Sequence, residues 1–214
     1  MRTSVHGDGR LPDPLDTALA HYRHRIFVEQ LGWKLPGADD HFERDQYDRE
    51  DTVYVVAHDD ATGSICGCAR LLPTTRPYLL QELFPFLLAD DMPAPIARDV
   101  WELSRFAANP AANPAANPAA SDLTHEDSAW AVRPMLASVV ECAAKLGARQ
   151  LIGVTFLSME RLFRRIGVHA HRAGAPQRID DRMVVACWID IDSQTLSALG
   201  LDPSLGPMLP KLAA

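Results

Sequence analysis

Three Asn-Pro pairs interrupt the middle of the chain at four-residue spacing: Asn109-Pro110, Asn113-Pro114 and Asn117-Pro118. Each proline lacks a backbone N–H and moves the preceding asparagine away from helical backbone angles. A helix or a central strand therefore cannot run through this stretch. We expect a flexible, low-complexity loop at about residues 108–122, with the regular elements on either side of it.

The pattern before the repeat predicts a helix, a β-hairpin, a short helix and a strand. Apolar residues recur at helical steps over Leu15–Gly32. Thr52–His58 and Ser64–Leu72 have strand composition and are separated by a DDATG turn, which indicates a hairpin that Pro73 ends. A short helix is expected over residues 79–88 and a strand over residues 100–106.

The pattern after the repeat predicts two more helices and two more strands, in the order Trp130–Leu146, Leu151–Phe156, Met159–Ile166 and Met183–Ile191. Gly147 is the expected end of the first helix, and Ser158 the expected N-cap of the second. This order favours an α/β fold with one mixed, mostly antiparallel sheet and helices packed on it.

Length and charge narrow the function classes. A chain of 214 residues indicates a single domain over residues 1–214. The net charge of −7 argues against general nucleic-acid binding, and no apolar run reaches the length of a membrane span. The first residues lack the apolar core of a secretion signal.

Cysteine usage indicates a reducing compartment, the cytoplasm. Four cysteines are too few for a disulfide framework in a chain of this length: Cys66, Cys68, Cys142 and Cys187. Cys66 and Cys68 lack a second Cys or His pair at zinc spacing, so we expect no metal site.

Charged residues occur inside strands that are otherwise apolar. Arg70 ends a run of small apolar residues, and Glu102 lies between Trp101 and Leu103. A buried charge is unfavourable unless it is paired. A structural ion-pair network and a ligand site both explain this pattern, and the spacing alone leaves the choice open.

Five short motifs occur together in one order: RHRIF, LGW, DQYD, GCARLLPTTRPY and VWELSRF. In this order and spacing they resemble the LuxI-type acyl-homoserine-lactone synthases, also called autoinducer synthases. The resemblance covers about residues 20–190, and the segments WAVRPMLASVVECAA and RLFRRIGV are similar to the branch that makes octanoyl-homoserine lactone. The Asn-Pro-Ala-Ala repeat departs from the family at a connection where such enzymes vary.

The resemblance implies a fold, a reaction and its partners. The fold is an acetyltransferase-like (GNAT-like) three-layer α-β-α sandwich. A medium-chain acyl group, octanoyl by this resemblance, passes from acyl carrier protein to the amine of S-adenosylmethionine (SAM). The SAM carboxylate then closes the lactone and expels methylthioadenosine. SAM is a substrate, and no cofactor is expected.

The resemblance also assigns the residues that act on SAM. The catalytic set is Glu102, Asp45, Asp48, Arg70 and Arg105, expected to form one electrostatic cluster with Arg23. We take Glu102 as the first candidate for the general base, because its strand is expected to be the most buried and burial would raise its pKa toward a usable value. The residues expected to bind SAM are Arg23, Phe27, Trp33, Arg105 and Phe106. The aromatic rings suit a sulfonium and an arginine suits a carboxylate, although Phe27 also fits ordinary core packing.

Two further sets follow from the resemblance. The acyl chain is expected to lie against Met135, Leu136, Thr155 and Trp188. An acidic carrier protein requires a basic docking surface, for which we assign Arg161, Arg164 and Arg165. A solvated helix face is the alternative explanation of these arginines.

Two other function classes fit the sequence less well. A GNAT-type N-acetyltransferase that uses acetyl-CoA carries a glycine-containing pyrophosphate loop, whereas the corresponding link here is the Asn-Pro-Ala-Ala repeat. A non-enzymatic ligand-binding protein lacks support, because the sequence shows no helix-turn-helix pattern and no general basic stripe.

Overall fold

The computed structural model of the chain describes residues 1–7, 11–33, 41–108 and 125–206, with side chains of the helix at 125–145 described from residue 132 onward. The helices are α1 (Asp13–Arg23), α2 (Leu79–Leu83), α3 (His125–Lys145), α4 (Leu157–Arg165) and α5 (Ser193–Leu199). The strands are β1 (Arg2–His6), β2 (Val53–His58), β3 (Ile65–Pro73), β4 (Val100–Ala108), β5 (Gln150–Phe156), β6 (Ala170–Arg172), β7 (Gln177–Ile179) and β8 (Arg182–Asp190).

The strands form one eight-stranded sheet in the order β1-β2-β3-β4-β5-β8-β6, with β7 paired to β8. The pairing of β4 with β5 is parallel, and the pairings β1–β2, β2–β3, β5–β8, β6–β8 and β7–β8 are antiparallel. The predicted mixed sheet is therefore confirmed, and so is the predicted hairpin of β2 and β3.

The chain divides into two compact units, residues 1–73 with 103–135 and residues 74–102 with 136–214. In the first unit α1 packs against β3. A π-helical segment, His24–Gln30, continues directly from α1. Phe27 and Cys68 belong to the apolar core that these elements share.

In the second unit α4 packs against β5, β6 and β8. A close backbone contact joins the segment after α2 to the segment after β6. Ala89 N donates to Ala173 O, and a Cβ placed on Gly174 would lie 2.3 Å from the carbonyl oxygen of Leu87. Only glycine fits at residue 174 without moving this backbone.

The structure corrects several local predictions. Ser158 is not an N-cap, because α4 begins at Leu157 with Phe156 in the cap position and no side-chain cap hydrogen bond. The sequence analysis missed β1, β6, β7 and α5, and it continued α2 through the separate short turn Pro85–Leu87. The Asn-Pro repeat lies outside the described residues, so the loop stays a prediction. Among the described residues, no helix is both long and apolar enough to span a membrane.

Candidate active site

A closed ring of six charged side chains lies in the first compact unit. Arginine and carboxylate alternate around it, and each member bonds to two of the opposite charge, in the order Arg23, Glu43, Arg105, Asp45, Arg70, Asp48 and back to Arg23. Three positive and three negative charges balance. The ring therefore satisfies its own charges with little exposure to water.

Glu43 joins two of the arginines and is fully buried. It accepts from Arg23 Nε at 2.5 Å, and it accepts two hydrogen bonds from Arg105, from Nε at 3.1 Å and Nη2 at 2.8 Å. Burial alone would raise the pKa of Glu43, but these hydrogen bonds and the two positive charges lower it to about 2. Glu43 therefore stays ionised at neutral pH.

Arg70 closes the other side of the ring. Its Nη1 and Nη2 donate to the two oxygens of Asp45 at 2.6 and 3.0 Å, and Nη1 also donates to Asp48 at 2.9 Å. Its Nε donates to the Ser104 hydroxyl at 3.0 Å. The resulting fork-to-fork geometry fixes the guanidinium plane. Arg70 is fully buried, so it depends on these partners.

Strand register and a turn bring the ring together. Tyr54 on β2 is the cross-strand partner of Arg70 on β3, so their side chains share one face. The Tyr54 hydroxyl donates to Asp48 Oδ1 at 2.6 Å. The second oxygen of Asp48 accepts from the backbone N–H of Asp45 at 2.8 Å, which closes a tight turn. Burial raises the pKa of Asp48, but the charges of Arg23 and Arg70 outweigh burial and lower it.

Arg105 has an unusual backbone. Its φ is +51°, in the left-handed region that a side chain with a Cβ rarely adopts. Its carbonyl oxygen accepts a hydrogen bond from the Cys68 thiol at 3.1 Å. Strained backbone of this kind persists where surrounding contacts hold it, and it concentrates at functional sites.

An aromatic pair lies against the ring. Phe27 and Trp33 stack with centroids 5.0 Å apart, and the Arg105 guanidinium carbon lies 5.6 and 5.9 Å from the two ring centroids. The faces expected to receive a sulfonium thus already attract a cation in this structure. Phe27 is also part of the apolar core, and Phe106 is half-buried on β4.

Arg23 has one nitrogen to spare. Its Nη2 is buried and has no hydrogen-bond partner among the described residues. Arg23 also lines a small, partly open recess that has room for about one water molecule, together with Asp16, Glu43, Asp48 and Tyr54. The unpaired N–H of Arg23 suits a substrate carboxylate, and the neighbouring carboxylates suit an ammonium group.

Glu102 has partners of a different kind. It lies in the second compact unit, where its oxygens accept from the backbone N–H groups of Leu79 and Leu80 at 3.1 and 2.6 Å. Glu102 is fully buried and secures the start of α2. The ring contains Glu43, which the sequence analysis did not name. The role of Glu102 as general base stays a prediction.

The predicted acyl pocket needs one correction. In the register of β5 with β8, Thr155 pairs with Val185 while Ile152 pairs with Trp188. Side chains alternate along a strand, so Thr155 and Trp188 lie on opposite faces of the sheet. They therefore cannot line one wall of a pocket together, contrary to the prediction. Met135 and Leu136 are both fully buried, and their contact with the acyl chain stays a prediction.

The three predicted docking arginines lie together on α4 and are exposed: Arg161, Arg164 and Arg165. Arg164 pairs with Glu160 of the same helix at 3.4 Å. Arg172 on β6 pairs with the other oxygen of Glu160, also at 3.4 Å. The basic surface therefore extends from α4 onto β6.

Sequence reasoning missed Glu43, Tyr54 and Ser104. Glu43 was hidden in an acidic stretch of the loop before β2, where no periodicity distinguishes one carboxylate from the next. Tyr54 had a signal, because pairing the two hairpin strands places it opposite Arg70. Within the part of the chain that the structure describes, no three His, Cys, Asp or Glu side chains are grouped to hold a metal ion.

Comparison with known proteins shows which family the chain belongs to. The sequence matches the autoinducer synthases over residues 15–199. The chain belongs to this family. A family relative from Ralstonia solanacearum, an acyl-homoserine-lactone synthase, is 63% identical over 212 residues, which cover 98% of this chain and 100% of the relative. The resemblance inferred from the five motifs is confirmed, and the chain is an acyl-homoserine-lactone synthase, an acyltransferase of quorum-sensing signal synthesis.

Solved structures of the same family agree. The crystal structure of TofI in a ternary complex with an inhibitor and MTA is 65% identical, with a TM-score of 0.82, and covers 96% of this chain and 100% of its own. BjaI, a CoA-dependent synthase solved with SAM and isopentyl-CoA, is 27% identical, with a TM-score of 0.74 and coverage of 96% and 93%.

The fold is shared more widely. An acyl-CoA N-acyltransferase from Pseudomonas aeruginosa is 14% identical, with a TM-score of 0.54 and coverage of 88% of this chain and 99% of its own. This likeness concerns the fold alone. The predicted acetyltransferase-like α/β fold is confirmed.

Proposed function

We propose that the enzyme transfers an octanoyl group from acyl carrier protein to the amine of SAM and releases N-octanoyl-L-homoserine lactone and methylthioadenosine. No cofactor takes part. The octanoyl length rests on the similarity of the C-terminal segments to the octanoyl branch. The cytoplasm, expected from the cysteine usage, is where both substrates would meet the enzyme.

The first step joins the acyl group to nitrogen. The α-ammonium of SAM loses a proton, the free amine attacks the thioester carbon, a C–N bond forms, and the C–S bond breaks to release the carrier thiol. Glu43 and Asp48 have lowered pKa values, so they are weak bases. We assign them to holding the ammonium rather than to removing its proton.

The second step closes the lactone. An oxygen of the SAM carboxylate attacks the γ-carbon, and the C–S bond of the sulfonium breaks to release methylthioadenosine. The unpaired N–H of Arg23 supports a role in orienting that carboxylate. The stacked Phe27 and Trp33 support binding of the sulfonium, since their faces attract a cation.

The observation that carries the choice of acyl donor is the charge of the α4 surface. Arg161, Arg164 and Arg165 lie on α4, and Arg172 lies on β6. Two of these four arginines, Arg164 and Arg172, pair with one buried carboxylate, Glu160, on a chain whose net charge is −7. A local excess of positive charge on an acidic protein attracts an acidic macromolecule more strongly than an uncharged one. Acyl carrier protein is such a partner.

Acyl-CoA is the second candidate donor, because the relative BjaI is CoA-dependent. Purified enzyme should be incubated with SAM and either octanoyl carrier protein or octanoyl-CoA, and the products analysed by mass spectrometry. We expect octanoyl-homoserine lactone and methylthioadenosine from the carrier substrate. Lactone from octanoyl-CoA alone would contradict the proposed donor.

The acyl length needs a separate competition. Hexanoyl, octanoyl and decanoyl carrier proteins should be supplied together at equal concentration, and the lactones quantified by mass. We expect octanoyl-homoserine lactone to predominate. A preference for another length would overturn the octanoyl assignment and leave the reaction in place.

A further inference from the structure

Glu160 is a fully buried carboxylate beneath an exposed basic surface. It lies in the first turn of α4, and no part of its side chain reaches solvent. An ionised carboxylate in that position is unfavourable unless cations compensate it. Its described hydrogen-bond partners are two arginines from different elements, Arg164 of α4 and Arg172 of β6.

Each arginine uses one nitrogen to contact Glu160. Nη1 of Arg164 reaches Oε1 and Nη2 of Arg172 reaches Oε2, both at 3.4 Å. The Arg164 side chain remains 61% exposed and that of Arg172 remains 37% exposed. Each guanidinium group is therefore held by one nitrogen at Glu160, while its side chain stays partly exposed to solvent.

The charge around Glu160 is not balanced. Arg161, Arg164, Arg165 and Arg172 give four positive charges, and the described ion pairs of these side chains involve one carboxylate, Glu160. Two exposed histidines follow the same helix but do not add to this excess, because aspartates face them. His169 contacts Asp192 at 2.6 Å, and the imidazole of His171 contacts Asp190 at 3.2 Å. The unbalanced charge thus belongs to the arginines.

We propose that Glu160 is a positioning residue that aligns Arg164 and Arg172 as a paired site for an oxyanion of acyl carrier protein. The inference rests on the proposed use of a carrier-protein donor. Without the buried carboxylate, the two long side chains would sample many rotamers, and ordering them on binding would reduce affinity. By ordering both side chains before binding, Glu160 reduces the entropy lost when the partner binds.

The oxyanion has two possible sources on the donor. One is the phosphodiester of the phosphopantetheine arm, and the other is an acidic side chain of the carrier protein. CoA carries a phosphopantetheine arm but no acidic protein surface, so octanoyl-CoA distinguishes them. If Glu160→Gln weakens the interaction with both donors, the oxyanion is the phosphate of the phosphopantetheine arm. If it weakens the interaction with the carrier protein alone, the oxyanion is an acidic side chain of that protein.

The test compares Glu160→Gln with the matched control Glu141→Gln. Glu141 also pairs with a basic residue four positions on, Lys145, but both of these side chains are exposed on α3. We expect Glu160→Gln to raise the KM for octanoyl carrier protein about tenfold, the size expected for a lost charge contact, with the KM for SAM and kcat unchanged. Glu141→Gln should match wild type.

A double-mutant cycle separates positioning from a merely structural role. In an Arg164→Gln, Arg172→Gln background, Glu160→Gln should have no further effect on the KM for octanoyl carrier protein, because Glu160 acts through these arginines. Direct binding of octanoyl carrier protein, measured by fluorescence anisotropy, should show the same non-additivity. An undiminished effect in that background, or an unchanged KM in a folded Glu160→Gln enzyme, would overturn the inference.

Failure of the proposed donor would look different. It would appear in the wild-type enzyme, which would then neither bind octanoyl carrier protein nor make lactone from it. Failure of the positioning role would appear only in the variants, with the wild-type enzyme active on the carrier substrate.

Discussion

Two arginine-rich regions of this enzyme solve opposite electrostatic problems. The six-residue ring in the first compact unit matches three arginines to three carboxylates. The α4 surface in the second unit has four arginines, two of which pair with one buried carboxylate, Glu160. The ring is mostly buried and its charges balance, whereas the α4 surface is exposed and carries excess positive charge.

The difference indicates that the charge balance and burial of a cluster are related to its role in the enzyme. A balanced, buried ring holds its members in fixed positions, so it can present a preorganised environment to a small zwitterionic substrate. An unbalanced surface gains from a partner that supplies the missing charge, and its effect is felt through association. Loss of a ring member should therefore affect folding, and loss of a surface arginine should affect encounter with the carrier protein.

The largest effect on stability is expected from Arg70→Gln. The change leaves Asp45 and Asp48 without their shared cation in a buried setting, which should lower the free energy of unfolding by about 3–5 kcal/mol. Urea denaturation followed by circular dichroism measures it. Arg44→Gln is the matched control, since Arg44 pairs with Asp16 on the exposed surface of the same unit. Equal effects of the two variants would contradict the distinction between buried and exposed pairs.

Glu43→Gln should be destabilising by somewhat less, about 3 kcal/mol at neutral pH, because the amide oxygen still accepts one hydrogen bond. The folded-state pKa of Glu43 is lowered from 4.5 to about 2, so its stabilising charge is fully present above pH 4.5 and is lost as the pH falls from 4.5 to about 2. The stability difference between wild type and variant should shrink over that interval. A difference independent of pH would rule out the ionised form as the stabilising one.

Tyr54→Phe removes one hydrogen bond to Asp48 and leaves the ion pairs in place. We expect a loss of about 1 kcal/mol in the free energy of unfolding. A weaker hold on Asp48 should also raise the KM for SAM. Thermal unfolding and initial-rate kinetics test both effects, and a change in the KM for octanoyl carrier protein alone would contradict the assignment of the ring to SAM.

The smallest effect on stability is expected from the exposed α4 arginines. Arg161→Gln combined with Arg165→Gln should change the free energy of unfolding by less than about 0.5 kcal/mol. Its effect should instead appear in kcat/KM for octanoyl carrier protein, and this effect should fade as NaCl is raised. A loss of activity insensitive to salt would argue against docking through charge.

The sequence analysis named five of the six ring residues, but it did not name Glu43 or predict how the six side chains pair. Arg70 stood out because a charge inside an apolar strand requires a partner, and Arg105 was assigned through the family resemblance. Glu43 did not stand out, because it lies in a loop where several carboxylates have equal claims and only tertiary contacts select one. Glu102 looked equivalent to the ring carboxylates along the chain, yet its hydrogen bonds go to the backbone of α2.

The fold, too, was predictable in some elements and not in others. The hairpin of β2 and β3 was predictable because β-branched residues flank a turn. The missed strand β1 is short and half-exposed, and β6 and β7 have three residues each, too few for a periodicity to register. The pairing register of β5 with β8, which separates Thr155 from Trp188, depends on long-range contacts that no local pattern specifies.

The most direct test of the account is a pair of two-substrate kinetic measurements. Arg164→Gln with Arg172→Gln removes the paired site on the α4 surface, and Trp33→Leu alters the aromatic pair beside the ring. We predict that the first variant raises the KM for octanoyl carrier protein and leaves the KM for SAM unchanged, while the second does the reverse. If either variant raises both KM values in parallel, the two regions do not have separate tasks and the account is contradicted.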